Sequence, residues 1–102
     1  MNYNLIFFLI AAHFIGDYAL QSDYIASAKV TSRYVLLAHS FIYTACICFV
    51  LQYYNVLSLD VTLYIISGHY LVDSIKNRKE INLFVDQLLH FIQLLFVLFY
   101  VL

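Results

Sequence analysis

The sequence contains no proline and no tryptophan, and it has only two glycines and two cysteines in 102 residues. Proline and glycine interrupt helices, and because the chain has so few of them its apolar stretches are long and continuous. Charged residues make up 11% of the chain, against about a quarter in a typical soluble domain. The net charge is −1 and no basic stripe is present, so nucleic-acid binding is not expected. Cys46 and Cys48 lie two apart and would point to different sides of a helix, which argues against a disulfide.

Hydrophobic residues make up 65% of the chain and occupy four long segments. A helix that crosses a bilayer needs about 20 apolar residues, and the segments that qualify are residues 3–22, 34–54, 59–76 and 81–102. A signal peptide is a poor alternative for the first, because no Lys or Arg precedes it and Asp17 interrupts it. The short loops make neighbouring helices antiparallel. The sequence therefore predicts one domain, residues 1–102: an all-α membrane protein with four transmembrane helices in an up-down bundle.

The basic residues are confined to two predicted loops. Lys29 and Arg33 lie in loop 22–33, whereas loop 76–80 contains Lys76, Arg78, Lys79 and the acidic Glu80. Positively charged loops remain on the cytoplasmic side of a membrane. We therefore expect a multi-pass protein of the bacterial inner membrane, with both loops cytoplasmic and both termini outside.

Seven ionisable residues interrupt the apolar segments, and they include every histidine in the chain. They are His13, Asp17, His39, His69, Asp73, Asp86 and His90. Such a residue costs about 2.5–3.5 kcal/mol at bilayer depth, so it usually faces the bundle interior and has a function. At 1.5 Å per residue, all seven lie within about 4–15 Å of the cytoplasmic boundary. This common depth predicts a polar cavity that opens toward the cytoplasm.

Two of the helices share a motif: HFIGD begins at His13 and HYLVD begins at His69. The helices that follow them contain LLAH, which ends at His39, and QLLH, which ends at His90. This pattern suggests two parallel helical hairpins related by a pseudo-two-fold axis along the membrane normal. Asp86 falls outside the repeat, because its counterpart is the apolar Val35.

Imidazoles and carboxylates four residues apart on a helix are suitable ligands for a divalent transition metal. Zinc is the leading candidate, manganese and iron are alternatives, and one or two ions would fit. All seven ionisable residues are candidate ligands. Two other interpretations remain open: hydrogen bonds that only join the helices, and a path for protons or cations. A path is less well supported, since none of the seven residues lies in the outer half of a helix.

The combined motifs HFIGDYALQSDYIASAK, HYLVDSIK and DQLLH, with His39 near the start of the second segment, resemble a known family. Its members are small membrane proteins of bacteria and their phages, grouped as a domain of unknown function, and the resemblance covers nearly the whole chain. It implies the same site residues but no activity. In style of motif alone, the chain is also similar to bacterial membrane-bound proteins described as metal-dependent hydrolases.

The leading functional prediction is metal-dependent hydrolysis of an amphiphilic or phosphate-bearing substrate, reached from the cytoplasmic side. Asp86 is the candidate general base, and an anionic amphiphile would be attracted by basic residues of the loops. The candidate substrate-binding residues are Gln21, Lys29, Arg33 and Lys76, with Arg78 and Lys79 as further attracting charges. The alternatives are a proton or divalent-cation transporter or channel, and a structural membrane protein held together by its metal. A homodimer is plausible, because four helices enclose only a small cavity.

Reporter fusions test the orientation. A reporter fused within residues 22–33 or 76–80 should be cytoplasmic, and one fused to either terminus should lie outside, because all five basic residues occur in the two loops. A cytoplasmic C-terminus would contradict both the orientation and the side to which the cavity opens.

Overall fold

The computed structural model describes residues 3–77 and 82–101, and these are helical throughout apart from short connections. The elements are α1 (Tyr3–Phe14), which continues into a π-helical turn (Ile15–Ala19), α2 (Asp23–Ala28), α3 (Arg33–Tyr53), α4 (Leu59–Asn77) and α5 (Leu83–Val101). The described part of the chain has no strand, so the all-α prediction is confirmed there. Arg78, Lys79 and Glu80 of the second basic loop lie outside the described residues.

Local signals in the sequence explain where the helices begin and end. Ser22 and Ser32 cap α2 and α3, each accepting a hydrogen bond from a backbone N–H three residues later, at 3.2 and 3.3 Å. Asn82 caps α5 in the same way, at 2.9 Å. After α3, Asn55 adopts a left-handed backbone conformation with φ of 58°, and Val56 donates back to the carbonyl of Leu51. This Schellman turn reverses the chain into α4.

The four long helices pack as antiparallel neighbours in chain order. Between α3 and α4, Cys48 contacts Thr62 near one end, and the ring of His39 lies beside that of His69 near the other. Residue numbers thus rise along one helix as they fall along the next. The ring closes where His13 of α1 bonds to Gln87 of α5, 3.0 Å apart. The bundle measures 38 × 23 × 22 Å.

The interior of the bundle is divided into two zones along its length. The half that contains the N-terminus of α1 and the C-terminus of α5 is apolar, with Ile47, Leu51 and Ile65 fully buried. The other half holds the buried ionisable side chains as a polar layer, formed by His13, Asp17, His39, His69, Asp73, Asp86 and His90. The apolar half therefore closes the polar layer on one side.

The outer surface of the bundle is strongly apolar. Each long helix exposes large hydrophobic side chains, for example Phe7 (66% exposed), Phe49 (79%), Leu63 (55%) and Phe96 (62%). By length and composition alone, α3 and α5 are sufficiently apolar to cross a membrane, while the apolar helix at 3–19 is shorter. The four-span arrangement stays a prediction.

Gly16 permits a close contact between the π-helical turn and α3. A Cβ atom at this position would lie 3.0 Å from the Cα of Tyr43 and 3.2 Å from its Cδ2. The first of these atoms belongs to the backbone of a long helix and cannot easily move. The absence of a side chain at Gly16 is therefore what lets the two helices approach.

We expect Gly16→Ala to lower the free energy of unfolding by about 1–3 kcal/mol, because the added methyl group overpacks the contact with α3. Denaturant titration of the purified protein in detergent would measure this change. Ala19→Leu is the matched control, since Ala19 lies in the same turn and its side chain is exposed. Equal losses in the two variants would contradict the packing role of Gly16.

Candidate metal centre

The π-helical turn places the first carboxylate of the centre. It ends where the N–H of Leu20 donates to the carbonyl of Ile15, five residues back, at 2.9 Å. Asp17 is in the middle of this turn and its side chain is 7% exposed. π-turns are uncommon and often occur at functional sites. Here the turn brings the Asp17 carboxylate to His39 of α3.

Four buried side chains come together from the π-helical turn, α3 and α4. They are Asp17, His39, His69 and Asp73. The Nε2 atom of His39 lies 3.3 Å from Asp17 Oδ1 and 3.4 Å from Asp73 Oδ2. The Nε2 atom of His69 lies 3.3 Å from Asp73 Oδ2 and 3.9 Å from Asp17 Oδ1. Ligands about 2.0–2.1 Å from a tetrahedral ion are about 3.3–3.4 Å apart. Three of these four distances match that spacing, the His39–Asp17 contact also being a hydrogen bond, and all four ligand atoms lie within 4.8 Å of one another.

Hydrogen bonds around His90 indicate which nitrogen of His69 carries a proton. His90 Nδ1 lies 2.8 Å from the backbone carbonyl of Asp86, which can only accept, so this nitrogen donates. In a neutral His90, Nε2 must then accept, and it does so from Nδ1 of His69 at 3.0 Å. If His69 is also neutral, its Nε2 atom then carries a lone pair and no proton, and this atom makes no hydrogen bond. A lone pair that faces two carboxylates in a buried site calls for a cation between them.

A second group of possible ligands shares one residue with the first. One ligand atom from each of Asp73, Asp86 and His90 lies within 4.8 Å of the others. Asp86 is 1% exposed, and its Oδ1 atom has no hydrogen-bond partner. Its Oδ2 atom is held by Gln87 Nε2 at 3.0 Å and lies 3.4 Å from Lys76 Nζ. Its Oδ1 atom lies 3.5 Å from His90 Nδ1, so one oxygen makes a hydrogen bond and the other only this longer contact.

His13 lies in the polar layer but belongs to neither group. Its Nδ1 atom is 2.9 Å from the hydroxyl of Tyr43, and its Nε2 atom is 3.0 Å from Gln87 Oε1. The related motif thus has different partners in the two halves of the chain, because His69 faces the carboxylates and His13 faces Tyr43. Its assignment as a metal ligand stays a prediction.

Two residues that the sequence motifs did not single out as functional help to build the centre. The amide of Gln87 donates to Asp17 Oδ2 at 3.4 Å as well as to Asp86, and so joins the two acids. The ring of Tyr43 stacks on that of His69, with centroids 4.0 Å apart and an interplanar angle of 18°. In the sequence, Gln87 adjoins Asp86 and Tyr43 lies four residues after His39, and these spacings are the available signals.

The predicted substrate residues have different surroundings. Lys29 Nζ contacts Asp73 Oδ2 at 3.1 Å, and its side chain is 11% exposed. Lys76 is bonded to Asp86, as described, and Arg33 is exposed at the start of α3. Gln21 is half-buried with its Oε1 atom unpartnered. Two of the four residues thus contact carboxylates of the layer directly.

The charges of the centre leave room for a cation. Counting the described residues alone, and with neutral histidines, the buried carboxylates of Asp17, Asp73 and Asp86 outnumber the two contacting ammonium groups by one. A buried negative charge without a partner is costly. A divalent ion would reverse this imbalance, and the donor set of two imidazoles and two carboxylates suits zinc, manganese or iron.

Comparison with known proteins identifies a family for the chain but no activity. A family model described as "Protein of unknown function (DUF3307)" matches residues 5–102. No curated protein and no solved structure matches the chain. The family match includes every residue of the polar layer, and the expectation of an uncharacterised family is confirmed. Since the match spans nearly the full length of the sequence, the chain belongs to the DUF3307 family.

Proposed function

We propose that this protein is a four-span inner-membrane protein that binds a divalent metal ion and uses it to hydrolyse an amphiphilic, phosphate-bearing substrate. The ion, zinc in the first instance, would be held by Asp17, His39, His69 and Asp73. The observation that carries the proposal is the Nε2 atom of His69, which is buried, makes no hydrogen bond and lies 3.3 and 3.9 Å from two carboxylate oxygens.

The surface of the bundle supports the membrane setting. Large apolar side chains are exposed on all four long helices, while the ionisable residues are inside, which reverses the usual order of a soluble domain. The long dimension of 38 Å exceeds the hydrocarbon core of a bilayer, which is about 30 Å thick. With the basic loops in the cytoplasm, the polar layer would lie nearer that side.

The unpartnered oxygen of Asp86 supports the hydrolytic role. A bound ion would lower the pKa of water and polarise the scissile group. Asp86 Oδ1 can take a proton from an attacking water, because Gln87 and Lys76 occupy only Oδ2. Lys29 and Lys76 are placed to offset the negative charge of a phosphate-bearing substrate near the layer.

Transport of protons or divalent cations is the second candidate. The buried atoms Thr44 Oγ1 and Gln93 Oε1 have no hydrogen-bond partners. They favour transport because they continue the series of buried polar groups beyond the histidines. Beyond them, however, the side chains of Ile47, Leu51 and Ile65 are fully buried in the apolar zone. A hydrolase needs access from one side only, and the apolar zone favours it.

A third role is a structural one, in which the ion only joins the helices. Four protein ligands around zinc are typical of structural sites, whereas catalytic zinc keeps a position open. The centre draws its ligands from three helical segments, so an ion would hold these together in any case. Hydrolysis requires that the ion add a fifth ligand, as zinc does in some transition states.

Metal analysis of the purified protein tests the ligand set. We expect at least one transition-metal ion per chain in the wild type and its loss in His39→Gln and Asp73→Asn, because each change removes a ligand. His90→Gln should weaken binding by about 10–100-fold, since His90 only orients His69. Mass spectrometry with inductively coupled plasma, together with zinc titration, would measure both effects.

His13→Gln is the matched control for His39→Gln. Both histidines are fully buried, but His13 bonds to Tyr43 and Gln87 rather than to the carboxylates. The control should keep its ion. A metal-free wild type, or a His39→Gln variant that retains its ion, would overturn the four-ligand centre and favour hydrogen bonds that only join the helices.

Asp86→Asn separates hydrolysis from transport. The variant should keep the ion, which the other four residues hold, yet lose about 10²–10⁴-fold in turnover, because an amide cannot accept the proton. Outer-half substitutions at Ser58, Asp60 and Thr62 should leave turnover unchanged. Proteoliposomes containing phosphate-ester amphiphiles would report product release, with proton and zinc flux recorded in parallel. Flux that requires Asp60, without product, would favour the transporter.

A further inference from the structure

A cavity of 370 Å³ lies where the segment between α2 and α3 meets α4. It is at the end of the bundle that holds the polar layer, away from the apolar zone. Its polar lining consists of Lys29, Thr31, Ser32, Arg33 and Ser74, together with the hydroxyl-bearing ring of Tyr70. The volume falls within the range of small-molecule sites, about 300–1,000 Å³.

The lining of this cavity has the chemistry of an anion site. Lys29 and Arg33 supply positive charge, and Thr31, Ser32 and Ser74 supply hydroxyl groups. None of the described residues that line it is acidic. Arginine and lysine with neighbouring hydroxyls bind phosphate oxygens through charge-assisted hydrogen bonds. The lining therefore favours a phosphoryl group over a cation or a neutral ligand.

Lys29 joins this cavity to the metal centre. It lines the cavity and also places Nζ 3.1 Å from Asp73 Oδ2, the oxygen nearest to His69. A cation at the centre would take over the neutralisation of Asp73. Lys29 would then lie between Asp73 and an anion in the cavity, on the side of the centre that faces the 29–33 segment.

We propose that this cavity binds the phosphoryl group of the substrate, with Arg33 and Ser74 as ligands and Lys29 as the link to the metal centre. The assignment of the ligand as substrate rests on the proposed function. The binding of a phosphoryl group does not rest on that function, since the cavity and its basic side chains exist independently of the ion. Bound there, the substrate would present its scissile bond to the centre across Lys29.

Binding of inorganic phosphate to the full-length protein tests the site. The protein would be held in nanodiscs of phosphatidylcholine and titrated calorimetrically, both metal-free and loaded with zinc. Arg33→Gln should weaken phosphate binding by about tenfold, because it removes a charged donor. Ser74→Ala should weaken it by a smaller factor. Zinc should strengthen binding in the wild type, because it adds positive charge beside Asp73, which Lys29 contacts.

Two controls separate a built site from general electrostatic attraction. Lys79→Gln removes the same charge from the other basic loop, and Ser67→Ala removes an exposed hydroxyl of α4 that does not line the cavity. Both should bind phosphate as the wild type does. Equal weakening by Arg33→Gln and Lys79→Gln would overturn the site, as would an absence of phosphate binding in both metal states.

Lipid composition distinguishes the source of the phosphoryl group. Nanodiscs that contain phosphatidic acid should compete with inorganic phosphate, and this competition should be lost in Arg33→Gln, if the ligand is a headgroup. Phosphate binding that is indifferent to phosphatidic acid would assign the cavity to a soluble phosphate compound. Arg33-dependent phosphate binding by a protein that takes up no zinc would uphold the anion site and remove the metal-dependent hydrolase.

Discussion

Carboxylates and imidazoles are buried together inside a bundle whose surface is apolar, and each must find its partner within the bundle. In the proposed membrane setting lipid offers none, and a single unpaired charge would cost several kcal/mol. The arrangement follows from this constraint. Asp73 is contacted by Lys29 and by three histidines, and Asp86 by Lys76, His90 and the amide of Gln87. Several buried polar atoms of the described residues lack a hydrogen-bond partner. Among them, the Nε2 atom of His69 faces two carboxylates and marks the place where a bound cation would complete the electrostatics.

The two zones of the interior divide the tasks of stability and chemistry. The apolar zone, with Leu5, Leu9, Ile47, Leu51 and Val97 among its buried residues, packs as an ordinary core. The polar layer adds little net stability, because desolvation of its charges offsets much of their attraction. Separation of the zones lets the layer keep reactive groups in close contact while the bundle is held together elsewhere.

The sequence predicted the helical class, the common depth of the ionisable residues and their convergence. These follow from hydrophobic length and from 3.6-residue periodicity, which are local properties of the chain. Other features depend on tertiary contacts. The contact of Lys29 with Asp73 joins a loop to a helix 44 positions away, so no local pattern could reveal it. Likewise, Gln87 gains its importance only because Asp17 lies across the bundle.

The π-helical turn also separates the direction of the Asp17 side chain from that of His13, four residues earlier, although both side chains bond to Gln87. Such a turn holds about one residue more than an α-helical turn, so the segments before and after it are rotated relative to each other. The face that α1 presents to the apolar core and the direction of the Asp17 carboxylate are therefore set separately. The number of residues in this turn thus helps to determine the geometry of the centre. Deletion of one residue from this turn would change the direction of the Asp17 carboxylate, although every candidate ligand would still be present in the sequence.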